Sequence, residues 1–94
     1  MADRDDDGEP VVVPIGRELD LHSFQPRDIP SVVDEYLHEA VRAGFDVVRL
    51  VHGRGRGVQR GIVQSVLDRH PLIESFGDDF DSHLGATVAK LRRP

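Results

Sequence analysis

The stretch from Val47 to Gly57, Val-Val-Arg-Leu-Val-His-Gly-Arg-Gly-Arg-Gly, joins the two elements that decide the fold. Its first part, Val47 to Val51, is apolar except for Arg49 and mostly β-branched, which predicts a strand covered on both faces. Val58 to His70 then carries apolar residues at helical spacing and is followed by Pro71, so we predict a helix there. A glycine-rich turn between a strand and a helix brings backbone N–H groups close to a ligand, at the positive end of the helix dipole. The pattern therefore predicts an anion site, and phosphate is the first ligand to consider.

The side chains in and after this turn also suit phosphate. The turn carries one histidine and two arginines, and another arginine follows in the first turn of the helix. The predicted phosphate-binding residues are His52, Gly53, Arg54, Gly55, Arg56, Gly57 and Arg60. The turn is too short for a P-loop and lacks the lysine and the hydroxyl residue that follow one. Gly61 inside the helix costs about 1 kcal/mol relative to alanine, which suggests close packing or a nearby ligand at that position.

A second polar pair lies upstream, in the segment Glu18 to His22. This segment alternates polar and apolar residues, which is the period of a half-buried strand. Leu19 and Leu21 would share the core face, which places Asp20 and His22 together on the other face. The carboxyl ends of parallel strands meet at one sheet edge, where open α/β sheets bind ligands. If the two strands are neighbours, we expect Asp20 and His22 to converge with the glycine-rich turn.

Between these strands the spacing of apolar residues predicts an amphipathic helix. Its start lies between Pro26 and Pro30, because proline is tolerated only in the first helical turn. Gly44 occupies the position of a left-handed C-terminal cap. The predicted buried stripe consists of Ile29, Val32, Val33, Tyr36, Leu37, Ala40 and Val41. For the second helix the predicted stripe consists of Val58, Ile62, Val66 and Leu67.

The rest of the chain completes an α/β two-layer sandwich. Leu72 to Phe76 and Thr87 to Leu91 are predicted strands, separated by a long acidic loop. The order β-α-β-α-β-β predicts a mixed four-stranded sheet with two helices on one face, in which the first two strands are parallel and the last two antiparallel. Val11 to Ile15 is a candidate extra edge strand. We assign residues 1–10 to a disordered acidic tail and residues 11–94 to the domain.

Asp20-Leu21-His22 and His52-Gly53-Arg54-Gly55 together resemble the signatures of the Smr (small MutS-related) domain family, which are Leu-Asp-Leu-His and His-Gly-x-Gly. The resemblance covers nearly all of the predicted domain. It implies nucleic-acid binding and a nicking or structure-directed endonuclease activity on DNA or RNA. It maps Asp20 and His22 onto the motif implicated in catalysis, and His52, Gly53 and Gly55 onto the motif tied to nucleic-acid contact and to cleavage. The catalytic residues expected from the resemblance are therefore Asp20, His22 and His52. Two departures are Ser23, where the family often has glycine, and the glycine-rich loop before the last strand, which is reduced to Gly85.

Three functional hypotheses remain open on the sequence. In the first, Asp20 or a histidine activates water for phosphodiester cleavage while the arginines hold the phosphate. Mg²⁺ or Mn²⁺ would be the cofactor if Asp20 were instead a metal ligand. In the second, the domain binds DNA or RNA without cleaving it, and in the third it is a protein-interaction adaptor. His38, His70 and His83 are predicted to be surface residues.

Composition narrows the setting of the protein. The absence of cysteine excludes disulfides, thiolate metal sites and a cysteine nucleophile. No apolar run approaches the ~20 residues of a membrane helix, so no membrane partner is expected, and we predict a cytoplasmic location. The net charge of −5 disfavours nucleic acid, but residues 1–9 hold five acidic side chains against one arginine. The predicted domain is therefore nearly neutral, with a local basic turn.

Overall fold

The computed structural model describes residues 15–53, 55 and 57–92. Four strands and two helices occur in the predicted order, with a short 3-10 helix before the first helix and another before the last strand. The elements are β1 (Glu18–Asp20), the 3-10 turn Pro26–Asp28, α1 (Ile29–Arg42), β2 (Val47–Val51), α2 (Val58–Arg69), β3 (Ile73–Asp78), the 3-10 turn Phe80–Ser82 and β4 (Ala86–Leu91). The predicted acidic tail lies outside the described residues, as does most of the candidate edge strand; Ile15 belongs to no strand.

The sheet has the strand order β1-β2-β4-β3. β1 and β2 are parallel neighbours, and β4 is antiparallel to both β2 and β3. The predicted mixed four-stranded sheet is thus confirmed. In this arrangement the ends of β1, β2 and β3 and the start of β4 lie along one edge. We call this the loop edge; it consists of the segments 21–25, 52–57 and 79–85, without the undescribed residues 54 and 56.

The hydrophobic core lies between the helices and one face of the sheet. Its buried members are Leu21, Ile29, Val33, Tyr36, Leu37, Ala40, Val48, Leu50, Val63, Leu67, Ile73, Ala89 and Leu91. The stripe predicted for α1 is confirmed, with Val32 and Val41 half-buried at its margins. The stripe predicted for α2 was wrong at one end, because Val58 is exposed and Val63 takes the buried position. Val63 lies one helical turn before Leu67 on the same face of α2, whereas Val58 lies on the solvent-facing side of the helix.

Two strand boundaries differ from the sequence prediction. β1 ends at Asp20 rather than His22. Just beyond its end, the Asp20 carboxylate accepts the His22 backbone N–H in a local turn. β3 runs to Asp78 rather than Phe76, since Gly77 and Asp78 find partners on β4. The predicted acidic loop is correspondingly shorter.

Arg49 lies on the open face of the sheet, so the prediction that β2 is covered on both faces was wrong. Its guanidinium contacts Glu18 on β1 and donates from Nε to Asp79 Oδ2 at 2.6 Å. The hydrogen bond from Arg49 holds the pKa of Asp79 below its usual range. Arg49 therefore ties the edge strand β1 to the loop that leads into β4.

Within the described ranges neither helix has the length and apolar content needed to cross a bilayer.

Gly44 ends α1 as predicted, with a φ of +85°. The Gly44 N–H donates to Val41 O and the Phe45 N–H to Ala40 O, each at 3.0 Å, which is the Schellman pattern. This cap requires a left-handed residue and sets the very short link to β2.

We expect Gly44→Ala to lower the free energy of unfolding by about 1 kcal/mol, because an L side chain disfavours the left-handed region. Gly61→Ala is the matched control. No described atom lies within 4 Å of a Cβ at either position, so the close packing suggested for Gly61 is absent there. Gly61→Ala should raise stability by about 1 kcal/mol through helix propensity. Chemical denaturation measures both changes, and equal shifts would contradict the cap.

Candidate nucleic-acid interface

Asp20 and His22 form an exposed pair at the loop edge. The Asp20 Oδ1 atom accepts the His22 backbone N–H at 3.0 Å and lies 2.5 Å from His22 Nδ1. These hydrogen bonds hold the pKa of Asp20 below its usual range. Because a carboxylate only accepts, His22 Nδ1 carries a proton, and in the neutral imidazole the lone pair is then on Nε2. The His22 side chain is 66% exposed, so this arrangement suits a proton acceptor oriented by a carboxylate.

The glycine-rich turn meets this pair through Gly53. The backbone of β1 continues against β2 where the Leu21 N–H donates to Val51 O at 2.6 Å. Gly53 has a φ of +87°, and a Cβ built on it would lie 3.7 Å from the Cβ of His22. The two sequence signatures are therefore adjacent, as the parallel pairing of β1 and β2 predicts.

His52 differs from His22 because it is buried, with 2% of its surface exposed. Its Nε2 lies 2.9 Å from Thr87 Oγ1, and its Nδ1 lies 3.1 Å from Gly53 O. Burial lowers the pKa of His52, so the imidazole is neutral near pH 7. Both ring nitrogens are engaged by protein atoms, which leaves neither facing a ligand. The proton-transfer role that the resemblance implies for His52 stays a prediction.

The hydrogen bonds around His52 form a directed chain. A carbonyl only accepts, so Nδ1 donates to Gly53 O, and Nε2 must accept the hydroxyl proton of Thr87. Gln64 Nε2 donates to Thr87 Oγ1 at 3.0 Å and to Asp78 Oδ1 at 2.9 Å. This chain connects α2, β3 and β4 to the turn after β2, and it fixes the Nδ1–H tautomer of His52.

A carbonyl from the loop before β4 also holds this turn. Gly85 O accepts the backbone N–H groups of His52 and Gly53, each at 3.0 Å. The two preceding residues, His83 and Leu84, have φ values of +55° and +69°. A left-handed backbone costs a non-glycine residue roughly 1–2 kcal/mol. The loop thus keeps, at two non-glycine residues, a conformation that glycine favours.

The start of α2 faces the same edge. Gly57 precedes the helix with a φ of +82°, and no side chain caps it, so the first N–H groups have no partner within the helix. Gln59 Nε2 donates to Phe24 O at 2.8 Å and joins this end to the loop after β1. The structure thus brings Asp20, His22, His52, Gly53 and Gly57 together. Gly55 is described and exposed, whereas Arg54 and Arg56 lie outside the described residues.

Arg60 is engaged elsewhere than the sequence predicted. Its Nε and Nη2 atoms donate to the two oxygens of Asp78 at 2.8 and 2.7 Å. The same contact holds the pKa of Asp78 below its usual range. Arg60 therefore neutralises an acidic neighbour of the glycine-rich turn, and its role as a phosphate ligand stays a prediction.

The donor atoms beside His22 do not favour a divalent cation. Asp20 contributes a single carboxylate there, and its Oδ1 accepts from His22. Mg²⁺ and Mn²⁺ prefer several oxygen ligands. In the described part of the chain, the one group of three possible metal ligands within 4.8 Å of one another is Asp34, His38 and His70, outside the loop edge.

That group fits a hydrogen bond between helices better than a metal site. His70 Nδ1 accepts the Leu72 N–H at 3.1 Å, so Nε2 carries the proton and donates to Asp34 Oδ1 at 2.8 Å. A metal bound to Nε2 would displace that proton, and Nδ1 has no proton of its own because it accepts the Leu72 N–H.

The prediction that His70 is a surface residue was wrong, since its side chain is 6% exposed.

Sequence reasoning missed Thr87, Gln64 and Asp78. Thr87 was placed in the last strand, where its spacing from Ala89 and Leu91 puts it on the core face. A buried hydroxyl needs a hydrogen-bond partner, and that signal was available. Nothing in the sequence indicated which partner it would be.

We expect Thr87→Val to lower the free energy of unfolding by about 1–3 kcal/mol, because His52 Nε2 and a Gln64 N–H lose their partner. Thr87→Ser is the matched control, since it keeps the hydroxyl. Imidazole ¹⁵N shifts should show the Nδ1–H tautomer of His52 in the wild type and in Thr87→Ser, and a changed signal in Thr87→Val. An Nε2–H tautomer in the wild type would contradict the chain of bonds.

The burial of His52 also predicts a pH dependence of stability. The pKa of His52 is lower in the folded than in the unfolded protein, where it is near 6.5. The unfolded chain therefore takes up the proton more readily, and the free energy of unfolding falls as the pH drops below about 6.5. Urea denaturation of wild type and His52→Gln between pH 5 and 8 isolates this contribution. Parallel curves for the two proteins would rule it out.

A family model of the Smr domain matches residues 19–92. The chain is 40% identical over 76 residues to endonuclease MutS2 of Caldicellulosiruptor saccharolyticus and 36% identical over 80 residues to putative endonuclease MutS2 of Bacillus subtilis. These matches cover 79% and 83% of this chain but only 10% of each relative. The chain therefore spans about a tenth of the length of these relatives.

Two solved structures share the fold. The crystal structure of the Smr domain of Thermus thermophilus MutS2 has a TM-score of 0.75 and 35% identity, and the match covers 80% of this chain and 96% of that one. The stand-alone small MutS-related protein YdaL from Escherichia coli also has a TM-score of 0.75, with 21% identity, covering 82% of this chain and 65% of that one. The chain belongs to the Smr domain family.

Proposed function

We propose that the loop edge binds the phosphate backbone of a nucleic acid and that His22, oriented by Asp20, promotes its cleavage. The observation that carries this proposal is that an exposed Asp–His pair lies next to the glycine-rich turn at the start of α2. The names of the relatives, endonuclease MutS2, are in keeping with it.

Phosphate binding rests on backbone atoms and charge. The uncapped first turn of α2 offers N–H groups and the positive end of the helix dipole. Gly53 and Gly57 adopt left-handed conformations that let the backbone approach a ligand. The sequence adds Arg54 and Arg56 within the same turn. In this proposal His52 is a positioning residue that holds Gly53 beneath His22.

The cleavage step needs one proton acceptor. His22 Nε2 takes a proton from the attacking water, or from a ribose hydroxyl if the substrate is RNA. The new P–O bond forms as the bond to the leaving oxygen breaks, and solvent supplies the proton that the leaving oxygen takes up. Asp20 stabilises the imidazolium that results. Backbone N–H groups of the turn stabilise the charge that develops on phosphate.

A second candidate is a binding module without catalysis. The burial of His52 favours this candidate. Of the two histidines in the signatures, only His22 is exposed and can accept a proton, so no exposed histidine is left to protonate the leaving oxygen. A protein-interaction adaptor is a third candidate, but it gives no role to arginines inside a glycine-rich turn.

The test uses labelled linear and branched DNA and RNA of equal length, with binding and cleavage read from the same samples. Binding should weaken steeply with salt, because phosphate contacts release counterions. We expect His22→Ala to reduce cleavage by about 10²–10⁴-fold, the usual contribution of a general base, with binding nearly unchanged. Asp20→Asn should reduce cleavage less.

His38→Ala is the matched control, since His38 is an exposed histidine on α1, away from the loop edge. It should leave binding and cleavage unchanged. Binding without cleavage in the wild type would select the non-catalytic module. Affinity that does not change between low and moderate salt would exclude both nucleic-acid functions.

A further inference from the structure

The exposed apolar side chains are unevenly distributed over the described surface. In the described part of the chain the large ones are Phe24, Val47, Val58, Phe80 and Leu84, and Phe80 is 80% exposed. All but Val47 lie in the loop edge or in the first helical residue after it. Exposed apolar residues are individually common, but here they gather beside the proposed phosphate site.

The contacts of Phe24 place it on one side of the glycine-rich turn. Its N–H donates to Leu21 O at 3.1 Å, and its carbonyl accepts from Gln59 Nε2 at 2.8 Å. Phe24 is therefore held between the end of β1 and the first turn of α2. Val58, which is 57% exposed, lies in that same first turn.

Phe80 and Leu84 lie on the other side of the turn. Phe80 begins the 3-10 turn, where its carbonyl accepts the His83 N–H at 3.2 Å. Leu84 precedes Gly85, whose carbonyl binds the N–H groups of His52 and Gly53. Because β2 and β4 are neighbours in the sheet, this loop lies against the glycine-rich turn. Apolar side chains thus flank the turn on both sides.

The acidic residues near Phe80 are largely neutralised. Asp78 is paired with Arg60 at 2.7 Å and Asp79 with Arg49 at 2.6 Å. Asp81 is the exposed acidic neighbour on the same 3-10 turn. These ion pairs reduce the repulsion that a phosphate backbone would meet beside the ring.

We propose that the loop edge binds single-stranded nucleic acid, with unpaired bases stacked on Phe80 and Phe24 while the glycine-rich turn holds the phosphates. This inference rests on the proposed function and names its substrate class. Exposed aromatic rings beside a site for the phosphate backbone are a usual design of single-strand binders. A duplex keeps its bases stacked internally and cannot offer their faces to Phe80 and Phe24.

The experiment compares single-stranded and duplex oligonucleotides of equal length, with binding followed by fluorescence anisotropy. We expect the wild type to prefer the single strand. Phe80→Ala should weaken single-strand binding by about tenfold, the equivalent of one base stack, and leave duplex binding and the salt dependence unchanged. Because the Phe80 ring is mostly exposed, this substitution should not disturb the core.

Two further variants sharpen the result. Phe80→Trp keeps a stacking surface and should retain affinity; since the chain has no tryptophan, the new indole fluorescence should be quenched by the bound single strand. Val47→Ala removes an exposed apolar side chain outside the loop edge and should bind like the wild type.

The outcomes separate the two proposals. Wild-type protein that binds neither oligonucleotide refutes the proposed function and this inference together. Binding without single-strand preference, or equal losses on single strand and duplex in Phe80→Ala, overturns only the inference. Unchanged affinities in Phe80→Ala would also overturn the inference.

Discussion

The hydrogen bond between Thr87 and the buried imidazole of His52 is the constraint on which the loop edge depends. A buried ring nitrogen without a partner costs roughly 1–3 kcal/mol, so His52 is held in one orientation and one tautomer. In that orientation its Nδ1 proton engages Gly53 O, and Gly53 in turn lies under His22. A side chain contributed by β4 thus determines where the exposed Asp–His pair meets the glycine-rich turn. The histidine of the His-Gly-x-Gly motif thus holds the backbone of the glycine-rich turn.

Most of the fold was predictable because the signals that specify it are local. The apolar spacing of α1, the β-branched content of β2 and the left-handed cap at Gly44 are each read from neighbouring residues. The errors occurred where a distant partner decided the outcome. β3 is longer than predicted because β4 offers pairing to Gly77 and Asp78. Val58 is exposed because of the orientation of α2 about its own axis relative to the sheet. The apolar periodicity of α2 was too weak to predict that orientation.

The candidate site was likewise predictable only where local signals or strand order decided the outcome. The convergence of Asp20 and His22 with the turn followed from parallel strands, and the structure brings them together. The partners of His52 and Arg60 did not follow, because Thr87, Gln64 and Asp78 come from three elements far apart in the chain. Two acidic residues near the turn, Asp79 and Asp78, are paired with Arg49 and Arg60. Charge counted along the sequence therefore overstated the repulsion.

The position of β4 has a consequence for how the domain folds. This strand follows every other element along the chain but lies between β2 and β3 in the sheet. During synthesis, helix α1 can form early from local contacts, whereas the sheet stays in two separate parts until β4 is inserted. Pairing between segments far apart in sequence is slow, and the turn after β2 has neither the Gly85 carbonyl nor the Thr87 hydroxyl before that step. The loop edge is therefore complete only once β4 has paired with β2 and β3.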